Sequence, residues 1–122
     1  MTLLWQVTWN AKLYDYEKLI NDFKNNNHSG IIYQCKGRAK MVKLPKINDY
    51  VYISCNKLKI MKCKVISNFV IGHEEKYDLY NIGSQTQRIH SINNECLTLQ
   101  IEIIYENPEI LKGFQRTWCK YK

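Results

Sequence analysis

The chain of 122 residues has little of what marks a disordered, secreted or membrane-spanning protein. Two prolines and five glycines are too few for a low-complexity segment. The first ten residues, MTLLWQVTWN, lack the basic segment and the long apolar run of a signal peptide. No apolar run approaches the length of a transmembrane helix. We therefore expect one domain over residues 1–122 in an intracellular protein, cytoplasmic or nuclear, that is neither secreted nor bound to a membrane.

The spacing of the cysteines and histidines argues against a metal site. None of the five cysteines stands at Cys-x-x-Cys spacing, and the three histidines do not pair with them at the spacing of zinc ligands. Most of the cysteines lie in apolar runs, where a thiol behaves as a small buried hydrophobe. We expect unpaired thiols in a reducing compartment and no cofactor. The cysteines are Cys35, Cys55, Cys63, Cys96 and Cys119.

Catalytic motifs are missing as well. No histidine stands near a cysteine or serine with a supporting acid in the sequence, the arrangement that activates a nucleophile. The segment Gly83-Ser84-Gln85 lacks the lysine and the spacing of a phosphate-binding loop. We expect that the protein is not an enzyme.

Basic residues outnumber acidic ones by 18 to 11, which gives a net charge of +7. Two interpretations of this charge stay open at this point. It can serve as a solvated surface, or it can attract an anionic partner, of which nucleic acid is the commonest.

Hydrophobic periodicity predicts a strand, a helix and a second strand at the beginning of the chain. Residues 3–9 alternate as in a half-buried strand. Asp15 suits the first position of a helix, and four apolar residues from Tyr16 to Phe23 recur at the spacing of one helix face. Residues 31–35 form a second apolar strand after an Asn- and Gly-rich termination.

Residues 46–67 carry the clearest fold signal, a β-hairpin. Tyr50 and Tyr52 alternate with apolar residues, a tight turn follows, and Lys62 and Lys64 alternate with apolar residues in the returning strand. One face of this hairpin is apolar and the other carries tyrosine and lysine. A basic aromatic surface of this kind is typical of nucleic-acid binding, although tyrosine is also simply common in strands.

The sequence after the hairpin predicts a long loop, a long strand and a short final element. Residues 72–94 are polar and poorly periodic, which predicts a long loop, with a short helix or strand near Tyr77–Ile82 as the alternative. Residues 96–105 alternate strictly, which places Leu97, Leu99, Ile101 and Ile103 on one face. A helical turn over 109–112 and a last strand over 117–121 follow. The order predicts an α+β fold, a small mixed β-barrel of five or six strands with a helix after the first strand.

Four segments in this order resemble a known superfamily: LLWQVTW, GIIYQCKGR, LPKINDYVYIS and KCKVIS. The chain is similar to PUA-like domains, and within them to the EVE group, whose relatives include the YTH and ASCH domains. In that group a turn of the form K-x-G-D precedes the aromatic strand. Asn48 stands where glycine is usual, a tolerable exchange because asparagine also reaches left-handed conformations.

The resemblance implies a reader of nucleic acid, DNA or RNA, that holds one flipped and methylated base in an aromatic pocket. Tyr33-Gln34 stands where many relatives carry a Gly-Val/Trp-x-Asn pattern, so the identity of the base does not carry over. The base pocket implied by the resemblance comprises Trp5, Trp9, Tyr33, Gln34, Gln115, Thr117 and Trp118. The phosphate-binding residues expected beside it are Lys36, Arg38, Lys40, Lys43, Lys46 and Arg116.

Several of these assignments have a structural alternative. Trp5 shares a strand face with apolar residues, which favours a core role, while Trp9 and Trp118 suit a pocket wall or the core about equally. The exposed tyrosines also suit a protein-interaction or inhibitor module. An ASCH-like hydrolase is a third possibility that the resemblance leaves open.

Overall fold

The computed structural model describes residues 3–36, 44–71, 80, 82 and 94–110, and the backbone of 118–120. Within these residues, seven elements follow one another. They are β1 (Leu4–Trp9), α1 (Tyr16–Lys24), β2 (Ile31–Cys35), β3 (Tyr50–Cys55), β4 (Leu58–Val65), β5 (Cys96–Ile104) and β6 (Trp118–Lys120).

Helix α1 begins and ends where the sequence predicts. The carboxylate of Asp15 accepts a hydrogen bond from the Lys18 backbone N–H at 3.2 Å, which satisfies one of the free donors of the first turn. Leu19 is fully buried, and Asn26 ends the helix with a positive φ of 60°. The helix has nine residues, and no helix in the described part of the chain is long and apolar enough to cross a membrane.

The strands form one six-stranded sheet in the order β2-β5-β4-β3-β1-β6. β1 and β3 run parallel, and every other neighbouring pair runs antiparallel. This confirms the predicted fold class, a small α+β domain with a mixed sheet of six strands and a helix after the first strand.

The hairpin of β3 and β4 has the two faces that its sequence predicts. Its turn, Asn56-Lys57, has φ values of 52° and 64°, the positive values that a tight two-residue hairpin turn needs. Lys62 lies over the ring of Tyr50, with its Nζ atom 4.5 Å from the ring centroid. The opposite face of the hairpin is buried in the core. The core contains Trp5, Val7, Trp9, Leu19, Ile32, Val51, Ile53, Cys55, Ile60, Met61, Cys63, Val65, Tyr80, Leu97, Leu99 and Ile101.

One predicted core position is wrong. Leu97, Leu99 and Ile101 are buried as expected, but the side chain of Ile103 is 44% exposed. The pairing of β4 with β5 shifts between Lys62 and Cys63, so that β5 carries one extra residue there. Such a bulge exchanges the faces to which the following side chains of the strand point. Ile103 therefore lies on the same side of the sheet as its partner Lys62.

The predicted helical turn over 109–112 is also wrong in its described part. Ile110 pairs with Leu58 in antiparallel fashion, and the Lys59 backbone N–H donates to the Glu109 carbonyl at 3.0 Å. These two residues therefore extend along β4, because that strand offers them backbone partners. The other half of this segment and most of the predicted loop over 72–94 lie outside the described residues.

The side chain of Asp49 links the beginning of β1 to the turn before β3 through hydrogen bonds. This side chain is 4% exposed and accepts three hydrogen bonds, from the Leu3 N–H at 3.0 Å, the Trp5 indole N–H at 3.0 Å and the Lys46 N–H at 2.9 Å. Burial alone would raise the pKa of this carboxyl. The three hydrogen bonds and the charge of Lys46 outweigh burial, and the pKa lies below its ordinary value.

We expect Asp49→Asn to destabilise the protein by roughly 2–4 kcal/mol at pH 7, because an amide cannot accept all three hydrogen bonds and carries no charge. The lowered pKa means that the carboxylate stabilises the fold fully above about pH 4, the unfolded pKa, and less as the pH falls through the folded pKa. Urea unfolding at pH 7 and pH 3 measures this, and the difference between wild type and variant should shrink at pH 3.

The matched control is Glu106→Gln, which removes one negative charge from an exposed side chain. It should change the free energy of unfolding by no more than about 0.5 kcal/mol at either pH. An Asp49→Asn variant as stable as this control would contradict the role assigned to Asp49.

Candidate nucleic-acid interface

The indole of Trp9 and the amide of Gln34 meet on the core face of the sheet. The Trp9 N–H donates to Oε1 of Gln34 at 2.6 Å, and both side chains are 9% exposed. Nε2 of Gln34 donates in turn to the carbonyl of Cys35 at 3.2 Å. Both atoms of the amide group therefore have a partner, which stabilises a polar side chain at a buried position.

This contact requires the sheet to curl. Three strands separate β1 from β2 in the sheet order, and in a flat sheet the two would lie about 19 Å apart. The 2.6 Å hydrogen bond instead brings Trp9 of β1 against Gln34 of β2. The pairing of β3 with β4 leaves Ile60 of β4 as an extra residue, and the pairing of β4 with β5 leaves Glu102 of β5 as one. Bulges of this kind bend a sheet.

Three further rings gather around Trp9. The ring centroid of Tyr14 lies 4.4 Å from that of Trp9, and that of Tyr80 lies 6.3 Å from Tyr14. His28 follows at 5.5 Å from Tyr80. The Tyr80 hydroxyl donates to the carboxylate of Asp22 on α1 at 2.6 Å. We call Trp9, Tyr14, His28, Gln34 and Tyr80 the Trp9 cluster.

Short backbone contacts position the outer members of the Trp9 cluster. The Asp15 N–H donates to the Tyr80 carbonyl at 2.7 Å, and the Ile82 N–H donates to the Leu13 carbonyl at 2.9 Å. These bonds tie residues 80 and 82 to the connection between β1 and α1. Nδ1 of His28 accepts from the Gly30 N–H at 3.0 Å, which holds the ring next to Tyr80.

The Trp9 cluster has the groups that hold a flat heterocycle. Its rings offer stacking surfaces, and the amide of Gln34 offers a donor and an acceptor in one plane. Tyr14 is half-buried and covers Trp9 at a ring distance typical of stacking. A base on Trp9 would take the place that Tyr14 now occupies.

The structure brings together two of the predicted base-pocket residues, Trp9 and Gln34. Trp5 lies four residues earlier on β1, about 13 Å away along the strand, where it is buried and bound to Asp49. Tyr33 precedes Gln34 on β2 and so points to the opposite side of the sheet, opposite Thr98 of β5. The described geometry thus places Trp5 and Tyr33 away from the Trp9 cluster.

The final strand lies beside the strand that carries Trp9. β6 pairs antiparallel with β1, and Trp118 stands opposite Val7. The terminal pocket wall that the resemblance implies stays a prediction. The side chain of Trp118 and the predicted site residues Gln115, Arg116 and Thr117 lie outside the described residues.

Two of the predicted phosphate-binding residues are described. Lys36 directly follows β2, and its Nζ lies 3.8 Å from the carboxylate of Glu95, with both side chains partly exposed. Lys46 is exposed in the turn before β3 and donates its backbone N–H to Asp49. Arg38, Lys40 and Lys43 lie outside the described residues.

Three members of the Trp9 cluster are not among the predicted site residues: Tyr14, His28 and Tyr80. Each lies in a connecting segment, where no strand or helix period indicates the direction of a side chain. Tyr80 in particular falls within the segment predicted as a polar loop, although it is only 5% exposed. Its one local signal was its aromatic character in an otherwise polar stretch.

No family model matches this chain. No curated protein matches it either. Solved structures of an ASCH protein from Zymomonas mobilis and of its serine-to-alanine mutant do resemble it in fold. The mutant has a TM-score of 0.55 at 11% identity, over 98% of this chain and 88% of that chain. The unmutated protein has a TM-score of 0.50 at 10% identity, over 98% of this chain and 87% of that chain.

The fold of this chain is similar to that of the ASCH protein. This likeness agrees with the predicted PUA-like fold. Membership of the PUA-like superfamily stays a prediction. The EVE and YTH assignment stays a prediction. At 10–11% identity the similarity is one of fold and does not extend to function. A function for the Trp9 cluster therefore has to be argued from the residues of the cluster itself.

We expect Trp9→Phe and Gln34→Met each to lower the free energy of unfolding by about 1–3 kcal/mol, because each leaves a buried polar group without its partner. The double variant removes both groups and should cost less than the sum of the two single variants. Urea unfolding of the four proteins measures this coupling. Additive losses would contradict a direct Trp9–Gln34 interaction.

Proposed function

We propose that this chain binds nucleic acid and holds one unstacked, modified base against Trp9. The observation that carries the proposal is the Trp9 cluster, in which stacking rings and the Gln34 amide meet on the core face of the curled sheet. The net charge of +7 supports a polyanionic partner. The likeness in fold to ASCH proteins agrees with a PUA-like binding domain.

The first step of this mechanism is electrostatic capture of the phosphate backbone. Lys36 stands two residues after Gln34 and keeps a partly exposed side chain, so a phosphate can reach its ammonium group. Its contact with Glu95 is long, at 3.8 Å, and lies at the surface, where such pairs contribute little. A phosphate can therefore replace Glu95 as the partner at small cost.

The second step is the exchange of Tyr14 for a base. Extruding a base from its stack costs a few kcal/mol, and stacking on an aromatic side chain returns about 1–3 kcal/mol per base. Tyr14 has to leave Trp9, since the 4.4 Å between their ring centroids leaves no room for a third ring. The amide of Gln34 then lies beside Trp9, where it can read the edge of the base.

A modification on the base would strengthen this exchange. The indole of Trp9 is largely withdrawn from water, so a methyl group placed against it would bury apolar surface. Each buried methyl group is worth roughly 0.8 kcal/mol, which partly offsets the cost of extrusion. This is the physical basis for proposing a modified base in preference to an ordinary one.

The proposal describes binding without a catalytic step. A second candidate is an ASCH-like hydrolase, which is favoured by the likeness in fold to the Zymomonas proteins. The two predict different fates for the nucleic acid, which stays intact in the first case and is cleaved in the second. A third candidate, a protein-interaction module, would use the partly exposed tyrosine and lysine face of β3 and β4.

We expect oligonucleotide affinity to fall steeply with salt, and Lys36→Gln to make that dependence shallower. The slope of log K against log salt should decrease by about 0.7–0.9 if Lys36 neutralises one phosphate. Fluorescence anisotropy with a labelled oligonucleotide over a salt series measures both slopes.

The matched control is Lys62→Gln, which removes the same charge from the sheet face opposite to Trp9. It should leave the slope unchanged. Binding that is insensitive to salt, or that is weakened equally by the two variants, would contradict phosphate capture at Lys36 and would favour the protein-interaction module.

We expect Trp9→Leu to abolish the preference for a modified base. The variant removes the stacking ring but keeps an apolar side chain, so only the base-holding component should be lost. The measurement compares affinities for oligonucleotides that differ by one methylated base, and the ratio should fall to about 1 while the salt dependence stays unchanged. Trp118→Ala should act in the same way if that ring forms another pocket wall.

A far-UV circular dichroism spectrum and a urea unfolding curve must show that each Trp variant is folded under the binding conditions. An unchanged ratio in folded Trp9→Leu would contradict the proposal. Cleavage of the oligonucleotide by the purified wild type would favour the hydrolase.

A further inference from the structure

Cys35 and Cys96 stand directly opposite each other at the end of the β2–β5 ladder. The Lys36 N–H donates to the Glu95 carbonyl at 2.9 Å, so the next pair, Cys35 with Cys96, is one without mutual backbone hydrogen bonds. At such pairs the Cα atoms approach to about 4.5 Å, within the range that a disulfide spans. The two Sγ atoms lie 3.0 Å apart, about 1 Å more than a disulfide bond.

The two thiols differ in access. Cys35 is partly exposed, whereas Cys96 is 1% exposed. Backbone hydrogen bonds of 2.8 and 3.1 Å between Cys96 and Val70 hold Cys96 on its other side. An accessible thiol beside a fixed, buried one is the arrangement in which the first reacts and the second resolves the product.

We propose that Cys35 and Cys96 form an oxidative modification site that reacts with small disulfides such as oxidised glutathione. The thiolate of Cys35 attacks one sulfur of the small disulfide, which releases one small thiol and leaves a mixed disulfide. The thiolate of Cys96 then attacks Sγ of Cys35 and releases the second small thiol. Two protein thiols become one disulfide, the small disulfide is reduced to two thiols, and the protons of Cys35 and Cys96 end on them.

The disulfide would link the edge strand β2 to β5 next to the Trp9 cluster. Gln34 precedes Cys35 and donates to its carbonyl at 3.2 Å, so the link would fix the strand end that carries the partner of Trp9. An edge strand frays more readily than a central one. Amide hydrogens of residues 31–36 should therefore exchange more slowly in the oxidised protein. This proposal does not depend on nucleic-acid binding.

The buried core cysteines provide internal controls. Burial raises the pKa of the Cys55 thiol, and burial together with the nearby Glu102 raises that of Cys63. Both thiols are withdrawn from water, and a protonated thiol is a poor nucleophile. They should stay reduced under conditions that oxidise Cys35 and Cys96.

The test treats the full chain with oxidised glutathione, blocks the remaining thiols by alkylation under denaturing conditions, and maps the peptides by mass spectrometry. The expected product is a monomer that has lost two hydrogens, with Cys35 linked to Cys96 and with Cys55 and Cys63 alkylated. Dithiothreitol should restore both thiols. Hydrogen exchange of residues 31–36 should slow on oxidation and recover on reduction.

Two variants separate the roles of the thiols. Cys96→Ala should stop at a mixed disulfide of Cys35 with glutathione, and Cys35→Ser should form neither product at Cys96. The proposal is overturned if wild-type Cys35 and Cys96 are both alkylated after oxidation, or if either links to Cys119 or to a second molecule instead. Because the decisive map uses the wild type, it stands even if a variant folds poorly.

Discussion

The hydrogen bond between Trp9 and Gln34 joins two strands that three others separate in the sheet. It can form only if the sheet curls until one face becomes an enclosed interior. Twist alone bends a sheet gradually, and the bulges at Ile60 of β4 and Glu102 of β5 add local bends. The curled face holds the apolar core, and Leu19 anchors α1 in it. The Trp9 cluster exists because this curl carries residues distant in the sheet to one place.

The sequence predicted the elements well because their signals are local. The cap at Asp15, the strand over 31–35 and the turn at Asn56-Lys57 depend on a few neighbouring residues, and all three occur as expected. Ile103 was assigned to the wrong face because an extra residue in β5 reverses the alternation, and this bulge is set by pairing with β4. The extended pairing of Ile110 likewise depends on Leu58 of β4, 52 residues earlier in the chain.

The candidate site was predictable only in part, because some of its contacts also depend on residues distant in the sequence. Trp9 and Gln34 lie on strands, and their proximity was implied by a resemblance to whole domains. Tyr14, His28 and Tyr80 reach the site from connections, where direction depends on tertiary contacts such as the bond from Asp15 to Tyr80. The two tryptophans of β1 show how context decides a role. Trp5 meets a buried carboxylate that holds the turn before β3, whereas Trp9 meets a neutral amide and other rings.

The energetics of the proposed exchange explain why affinity and selectivity would come from different residues. Extruding a base and displacing Tyr14 together cost about as much as stacking on Trp9 and hydrogen bonding to Gln34 return. Net binding then has to come from phosphate contacts, which are insensitive to the identity of the base. Because these costs and gains at Trp9 nearly cancel, a small additional free energy decides whether a base is held. A buried methyl group contributes roughly 0.8 kcal/mol, which is close to a fourfold change in affinity. A site that bound every base strongly would not distinguish a methylated one. The enclosed indole of Trp9, already covered by Tyr14, therefore suits discrimination better than an open ring would.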